Sequence, residues 1–370
     1  RVGMVGGGQL ARMTQAAAID LGIDLHVLAV HADEPAALAG AVIRLGRADD
    51  EAALRAFAAD VDVVTLDHEL VADDVLAALA AEGVAVRPSA GALLFAKDKL
   101  YARTQLAALG LPVPAFAAVR EPEDVAAFAA RYGWPVVCKA TRGGYDGRGV
   151  EVVHSIAEVT SVLARGGSWM VEAHVDIAVE VAVVLARRPG GEQVSYPVVE
   201  TVQRDGQLVE LVQPARIEPE VAAAAVRLGT EVADAVDGVG IIAVELFVDP
   251  AGGLTLNELA VRPHNSGHAT IEAATTSQFH NHLRAVLDWP LGDTALRAPA
   301  AALVNLLGPD GPDRIAERLP QALAIGDAAV HLYGKASRPN RKIGHVTVLG
   351  ADAEVALARA REAAARLLAP

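Results

Sequence analysis

The sequence predicts a protein of mixed α/β and α+β class, with an N-terminal Rossmann-like domain, a larger middle domain and a small, mostly β C-terminal domain. Short apolar strands alternate with helices over residues 1–95, which is typical of a parallel sheet covered by helices. Residues 96–296 carry apolar alternations around a glycine-rich run, and this pattern favours antiparallel strands. Residues 297–370 carry short strands and a final helix. We therefore predict domains at 1–95, 96–296 and 297–370.

In the N-terminal domain, an apolar strand runs into a glycine turn and then an alanine-rich helix. The later apolar runs keep the same βαβ order. A Leu-Pro-Val-Pro segment at 111–114 then predicts an extended connection, because a residue before proline avoids the helical region. The predicted strands are Val2–Val5, Leu25–Val30, Val61–Leu66 and Val84–Val86, and the predicted helices are Gln9–Gly22 and Asp73–Ala81.

The middle domain contains a predicted hairpin that turns at residues 249–253, Asp-Pro-Ala-Gly-Gly. Residues 178–212 predict two or three further strands. The other strands predicted in this domain are Pro135–Lys139, Val150–Val153, Trp169–Glu172, Ile241–Val248 and Leu254–Glu258, and its predicted helices are Ser155–Arg165 and Glu220–Val236.

The C-terminal domain contains three predicted strands and one predicted helix. The strands are Ala302–Leu306, Val330–Tyr333 and His345–Leu349, and the helix is Glu354–Leu368.

Composition excludes several classes of protein. The 370 residues are 52% hydrophobic, which excludes intrinsic disorder, and their formal charge of −14 argues against a nucleic-acid or anionic-membrane binder. A single cysteine, Cys138, excludes an internal disulfide framework, and its apolar strand predicts a buried thiol. No apolar run reaches the roughly 18 residues of a membrane span. The chain opens as a strand and not as a signal peptide, so we expect a cytoplasmic protein. Because the first residue is not methionine, we also expect a short leader before Arg1.

The glycine turn Gly6–Ala11 fits the pattern G-x-G-x-x-G/A between a first strand and a first helix. It is consistent with three interpretations: an NAD(P) site, with Asp33 or Glu34 on the ribose, a site for some other ligand, or a structural tight turn. One copy of this pattern does not choose among them.

A second glycine-rich run, Gly143–Gly149, lies between two predicted strands and follows Lys139. Backbone N–H groups of such a loop can cover nucleotide phosphates while a nearby lysine supplies positive charge. The run is not a Walker A loop, and its simpler interpretation is a flexible hairpin. Lysine is scarce in this chain, which has five, so each lysine is a candidate for a role that needs a compact ammonium.

Two acids on the predicted hairpin, Glu245 and Glu258, can face one another, and Asn257 adjoins the second. Carboxylate and amide oxygens are ligands that Mg²⁺ prefers, often shared with nucleotide phosphates. The alternative is that they are exposed acids of an edge strand. The sequence therefore predicts a magnesium site on this hairpin.

Two polar segments near the end of the chain predict anion binding. Residues 262–268, Arg-Pro-His-Asn-Ser-Gly-His, follow the hairpin and would suit a carboxylated or phosphorylated substrate, although His268 could simply hydrogen-bond the loop. Residues 333–342 concentrate basic side chains in an acidic protein, which predicts a pocket for a phosphate monoester, with a solvated basic loop as the alternative.

Taken together, these motifs resemble the ATP-grasp superfamily and, within it, the 5-(carboxyamino)imidazole ribonucleotide synthase family of purine biosynthesis. The resemblance is carried by residues 6–13, 143–149, 257–268 and 338–345 and spans nearly the whole chain. It implies an ATP-grasp fold with an N-terminal pre-ATP-grasp domain. Three positions depart from the usual pattern of the family. Glu69 would be the equivalent of an acid in a segment that is usually of the Glu-x-Glu type. Lys99 stands where arginine is common, and Gln203 stands where many members carry histidine.

The resemblance implies an ATP-dependent C–N ligase that uses bicarbonate and aminoimidazole ribonucleotide, with Mg²⁺ as cofactor (Mn²⁺ could replace it), acting as a cytoplasmic homodimer. It places Glu245 and Glu258 on the metal. It assigns catalysis to Tyr145, Asp146, Arg148, Arg262, His264, Asn265 and Ser266. It assigns ATP binding to Lys99, Lys139, Gly143, Gly144, Gly147, Gly149, Glu172, Ala173, His174, Val175, Glu180, Gln203, Asn257 and Glu258. It assigns ribonucleotide binding to Gln9, Leu10, Glu69, Lys335, Arg341 and Lys342.

The competing hypotheses are other enzymes and a binding protein. A formate-dependent glycinamide ribonucleotide transformylase, or another ATP-grasp carboxylate–amine ligase, would share Lys139 and the glutamate pair but not residues 262–268 in this form. An NAD(P)-dependent oxidoreductase would use the first glycine turn and leave the paired acids unexplained. A non-catalytic nucleotide-binding regulator would have no need of the candidate substrate residues.

Overall fold

A computed structural model describes residues 1–144, 147–310 and 314–369. Its first unit is a parallel sheet with strand order β3-β2-β1-β4. The chain fully buries β1, an uninterrupted apolar strand, which is what a parallel sheet covered on both faces requires. The elements of this part of the chain are β1 (Val2–Val5), α1 (Gln9–Leu21), β2 (Leu25–Ala29), β3 (Val42–Leu45), α2 (Glu51–Ala58), β4 (Val63–Leu66), α3 (Asp73–Ala81) and α4 (Ala90–Lys97).

A second sheet is antiparallel, with order β5-β8-β6-β7, and the glycine-rich run joins β6 to β7. Two helices pack on it around a core that includes Cys138, whose thiol is buried as predicted. Its elements, with the helix before it, are α5 (Lys99–Ala108), β5 (Phe116–Val119), α6 (Pro122–Tyr132), β6 (Val136–Ala140), β7 (Val150–Val153), α7 (Ile156–Leu163) and β8 (Trp169–Ala173).

The largest sheet runs β14-β13-β9-β11-β12-β15-β17-β16, with β10 paired to β9. Its middle strands are apolar because α8 covers one face over β9 and β13. The elements up to α10 are β9 (Val179–Arg187), β10 (Gln193–Ser195), β11 (Val199–Arg204), β12 (Gln207–Gln213), α8 (Pro219–Val236), β13 (Gly240–Val248), β14 (Leu254–Ala260), α9 (Thr270–Ala273) and α10 (Gln278–Val286).

The C-terminal strands extend this same sheet, because β15 pairs with β12. Helices α11 and α12 pack on the C-terminal strands and form a separate apolar core with them. The elements are β15 (Ala300–Leu307), α11 (Ile315–Leu323), β16 (Ala328–Leu332), β17 (Lys342–Gly350) and α12 (Ala353–Leu368).

The fold class is confirmed, and most predicted elements lie within a few residues of their expected bounds. The strand predicted at Val84–Val86 is wrong: the structure has only a single bridge there, between Val64 and Val86. Residues 178–212 form four strands, β9 to β12, where two or three were expected. Among the described residues, no helix is both long and apolar enough to span a bilayer.

Candidate active site

A cavity of about 860 Å³ opens between the second sheet, the large sheet and the N-terminal turn. Most of the predicted site residues line it. They are Gln9, Leu10, Glu69, Lys99, Lys139, Gly143, Gly144, Gly147, Glu172, Ala173, His174, Val175, Glu180, Gln203, Glu245, Asn257, Glu258, Arg262, His264, Asn265, Lys335 and Lys342.

Four predicted residues within the described ranges do not line the cavity, and two more, Tyr145 and Asp146, lie outside those ranges. Arg148 is exposed and Gly149 lies behind the loop against Ala140. Ser266 is buried behind His264, and Arg341 is treated below. Gly147 has φ +76 and approaches Gly206 so closely that an added Cβ would lie 2.7 Å from its Cα, which explains a glycine at this point of the run.

The predicted acidic pair is assembled by strand register. Glu245 on β13 and Glu258 on β14 are direct cross-strand partners, so their side chains lie on one face of the hairpin. Lys99 Nζ approaches Glu258 Oε1 to 2.5 Å. Burial alone would raise the pKa of Glu258, but Lys99 and Lys139 outweigh it and hold that pKa below its usual value.

Glu245 has weaker compensation, because Lys99 and Lys342 lower its pKa by less than its surroundings raise it. Burial first, and then the charges of Glu258 and Glu180, raise its pKa to about 7. Burial also raises the pKa of Glu180. Carboxylates brought together in this way need a cation, and their oxygens are the hard donors that Mg²⁺ prefers. The residues present therefore fit a magnesium site.

A buried ion-pair network lies beside this pair. Glu172, only 2% exposed, contacts Arg103 Nε through Oε1 at 2.6 Å and Lys139 Nζ through Oε2 at 2.8 Å. Arg103 also donates to the backbone oxygen of Asn257, and Lys139 donates to the Asn257 side-chain oxygen at 3.2 Å. Two cations around one carboxylate leave a net positive charge on this wall, where phosphates could bind.

The N-terminal glycine turn is closed by the protein's own carboxylates. Asp67 accepts from the N–H groups of Gly8 and Ala11, at 3.1 and 2.7 Å. Glu34 accepts from Gly7 N–H at 3.1 Å and also from the backbone of Val30 and His31. The N–H groups of Gly7, Gly8 and Ala11 are thus already used within the protein and are not available to a dinucleotide pyrophosphate, which argues against the NAD(P) interpretation.

The turn instead presents Gln9 to the cavity. Its side-chain oxygen accepts from Lys335 Nζ at 2.5 Å, and its Nε2 donates to Asn265 Oδ1 at 3.2 Å. Arg262 forms an ion pair with Glu69 at 2.7 Å. These contacts join three distant segments of the chain, so the predicted substrate loop and the predicted basic segment do meet.

His264 is a neutral hydrogen-bond donor in this site. Burial, helped by Arg262 and Lys342, lowers the pKa of His264 to about 3. Its Nδ1 is 2.9 Å from Ser266 Oγ and also accepts from the Ser266 N–H. The proton therefore lies on Nε2, which is 3.7 Å from Glu245 Oε1. His268 contacts Gln278, which in turn bonds the backbone of His264.

Arg341 differs from the expectation. Its guanidinium donates to the Ala336 oxygen at 3.0 Å and does not line the cavity. The next residue, Lys342, begins β17 and does line it, because successive strand residues point to opposite sides. The cations that the structure brings to this end of the cavity are therefore Lys335 and Lys342.

Sequence reasoning missed several residues of the site. Arg103 had one usable signal, because it lies four positions after Lys99 on a single helix and so shares its face. Asp67 had none beyond its position after a strand, and Glu34 was named only as a candidate ribose ligand, whereas it bonds the backbone of the turn. The other missed lining residues include His68, Arg142, Ile177 and Phe247.

The comparisons with known proteins agree with this geometry. Residues 104–279 match the model of the ATP-grasp domain, residues 1–97 that of the ribonucleotide synthetase preATP-grasp domain, and residues 301–359 that of the phosphoribosylaminoimidazole carboxylase C-terminal domain. The chain is an ATP-grasp protein.

Proteins that are similar to this chain over nearly its full length show which family of ATP-grasp proteins it belongs to. The N5-carboxyaminoimidazole ribonucleotide synthase of Mycobacterium tuberculosis is 49% identical over 98% of this chain and 86% of that protein. The corresponding protein of Corynebacterium ammoniagenes is 41% identical over 98% and 91%. The chain belongs to the N5-carboxyaminoimidazole ribonucleotide synthase family, which confirms the resemblance.

Solved structures agree. The synthetase of Thermotoga maritima superposes with a TM-score of 0.89 at 36% identity, covering 99% of this chain and 98% of that one. The Aspergillus clavatus synthase, in complex with ADP and 5-aminoimidazole ribonucleotide, gives 0.92 at 32% identity, with the same coverage.

The raised pKa of Glu245 predicts a stability that depends on pH. Between its ordinary pKa of 4.5 and about 7, the folded chain holds a proton that the unfolded chain has released, so this group destabilises the fold as pH rises through that window. Glu245→Gln should therefore be more stable than wild type at pH 8, by about 1–3 kcal/mol, and much less so at pH 5. Urea unfolding in the presence of a chelator measures this. Exposed Glu220→Gln is the control, and a gain that is equal at both pH values would contradict the prediction.

Proposed function

We propose that the chain carboxylates the 5-amino group of aminoimidazole ribonucleotide, using ATP and bicarbonate and releasing ADP and phosphate. A single observation carries the proposal: one cavity joins an acidic, lysine-flanked nucleotide end to a basic end built from Gln9, Lys335 and Lys342. The Aspergillus clavatus relative was solved with two ligands, ADP and 5-aminoimidazole ribonucleotide, which supports a cavity with two binding ends.

At the nucleotide end, Glu245 and Glu258 would hold Mg²⁺ (or Mn²⁺), which when bound offsets charge on the β- and γ-phosphates. Lys139 is already fixed by Glu172 and Asn257 at 2.8 and 3.2 Å, so it needs little reorganisation to meet a phosphate. When the nucleotide binds, Lys99 would exchange its ion pair with Glu258, now 2.5 Å long, for contacts with the phosphates. The 143–149 run would cover the nucleotide and exclude water.

The reaction then proceeds in two stages. A bicarbonate oxygen attacks the γ-phosphorus, the bond to the β,γ-bridging oxygen breaks, and ADP and carboxyphosphate form. The 5-amino group then either displaces inorganic phosphate from the carboxyphosphate carbon, or adds to CO₂ after carboxyphosphate has broken down to CO₂ and inorganic phosphate; in both cases the nitrogen loses a proton. Arg262, His264 and Asn265 would orient the bicarbonate, because they supply one cation and two neutral donors beside the acidic pair.

At the other end, Lys335 and Lys342 would bind the ribose 5′-phosphate, and Gln9 and Glu69 would lie near the sugar. We also infer a cytoplasmic homodimer that binds neither nucleic acid nor membranes. The dimer and the cytoplasmic location rest on the family resemblance. The acidic net charge of −14 supports the inference that the protein binds neither nucleic acid nor anionic membranes. Light scattering of the purified protein at several concentrations tests the dimer.

Substrate dependence tests the reaction directly. ADP release should require Mg²⁺, ATP, bicarbonate and aminoimidazole ribonucleotide together, since the γ-phosphate has no acceptor without bicarbonate. A coupled ADP assay in CO₂-depleted buffer, with each component omitted in turn, measures it. Turnover only with formate and glycinamide ribonucleotide would assign the chain to the transformylase reaction instead.

Replacing one acid tests the metal site. Glu258→Gln should lower kcat at least about a hundredfold, because a neutral amide would hold Mg²⁺ more weakly than the carboxylate does. Exposed Glu231→Gln is the matched control, and far-UV circular dichroism checks the fold of both. A folded Glu258→Gln variant with near-wild-type turnover would refute the assignment.

Two lysines distinguish the two ends of the cavity. Lys335→Met should raise KM for the ribonucleotide about ten- to a hundredfold, because a charged hydrogen bond to a phosphate contributes roughly 1.5–3 kcal/mol and ~1.4 kcal/mol is a factor of ten. Its KM for ATP should change little. Lys99→Met should show the converse pattern. Steady-state kinetics that vary each substrate in turn decide this, and a reversed pattern would mean that the ends have been exchanged.

A further inference from the structure

A cluster of donor atoms lies outside the cavity, where α9 packs against the hairpin of β16 and β17. Glu272 on α9, His331 on β16 and His345 on β17 each offer one ligand atom, and these atoms all lie within 4.8 Å of one another. His331 and His345 are direct cross-strand partners with stacked rings, 4.5 Å between centroids. None of the three lines the cavity described above.

Atoms of this cluster are buried with no hydrogen-bond partner within residues 1–144, 147–310 and 314–369. They are His345 Nε2 and Glu272 Oε2. The Nε2 atom of the neighbouring His268 is also buried without a hydrogen-bond partner among the described residues. His345 and His268 are both fully buried, and their rings are 5.3 Å apart. Leaving several polar atoms unsatisfied in one place costs stability unless a ligand meets them.

The surroundings suit a metal ligand set. His345 Nδ1 is 2.7 Å from the buried Tyr333 hydroxyl, and in the tautomer that donates from Nδ1 to this oxygen the lone pair lies on Nε2. Burial, reinforced by His331 and His268, holds the pKa of His345 well below its usual value, so the ring is neutral. His331 and Glu272 are 28% and 21% exposed, which gives an ion a route into the cluster.

We propose that Glu272, His331 and His345 form a binding site for one divalent transition-metal ion of the zinc type. Imidazole nitrogens favour Zn²⁺ and its neighbours over Mg²⁺, and two histidines with one carboxylate leave a further position for water. The ion would replace the hydrogen bond between His331 Nε2 and Glu272 Oε1, which are now 2.6 Å apart. It would tie α9 to the strand that carries Lys342 and to the strand that precedes Lys335.

The test uses chelator-treated, tag-free full-length protein without nucleotide. Titration with Zn²⁺ in excess Mg²⁺, followed by calorimetry, should show one equivalent bound. Co²⁺ should give visible absorption bands typical of nitrogen and oxygen ligands. His331→Gln and Glu272→Gln should each weaken binding by more than about tenfold, since even the loss of an outer hydrogen-bond partner costs about 10–100-fold. Both replaced residues are partly exposed, and circular dichroism checks that the variants fold.

Two control variants make the result specific. His280→Gln removes an imidazole that pairs with Asp20 at 3.2 Å elsewhere on the surface, and Glu258→Gln alters the predicted magnesium site. Neither should change Zn²⁺ affinity. Absence of binding at about 100 µM Zn²⁺, unchanged affinity in both cluster variants, or loss of binding in Glu258→Gln would each overturn the proposal.

Discussion

The end of the cavity that we propose for the nucleotide depends on one buried carboxylate, that of Glu172. Burial alone would raise the pKa of Glu172, but Arg103 and Lys139 outweigh it and keep the carboxylate charged. Its two oxygens hold cations from a helix and from a neighbouring strand, and through them reach the backbone and side chain of Asn257. A buried charge of this kind is tolerated only as a complete set, because removal of one partner leaves another uncompensated. The set therefore fixes where the lysine and the acidic hairpin can lie.

Around this rigid set, the cavity leaves charge to be completed by ligands. Burial first, and then the neighbouring acids, raise the pKa of Glu245 to about 7, whereas Glu258 stays ionised beside Lys99. The fold thus accepts an unfavourable arrangement of acids that a cation relieves. The same reasoning applies at a distance to Glu272 and His345, whose buried atoms lack partners among the described residues. In both places, a cost in the folded chain indicates a ligand.

Local sequence patterns predicted the parts of the site that lie within one hairpin or one loop. Glu245 and Glu258 could be paired because a hairpin fixes register once its turn is known. The joining of β15 to β12 could not be foreseen, since long-range pairing of strands leaves no local pattern. Arg103 and Asp67 were missed because their partners lie far away in sequence. Val84–Val86 was wrongly predicted as a strand, since apolar alternation alone does not show whether a neighbour is present to pair with it.

The contacts also explain how two phosphate-binding ends can serve one reaction. From Glu245, the path runs to His264 at 3.7 Å, through the adjacent Asn265 to Gln9 at 3.2 Å, and on to Lys335 at 2.5 Å. The ends of this path are charged, whereas its middle consists of a neutral imidazole and two amides; the cation that we propose to orient bicarbonate is Arg262, which Glu69 holds at 2.7 Å. A single fixed cation among neutral donors can orient a transferring carboxyl group without the attraction that a cluster of cations would exert. The route that we propose for the carboxyl group between the two substrates therefore runs through the middle of the cavity.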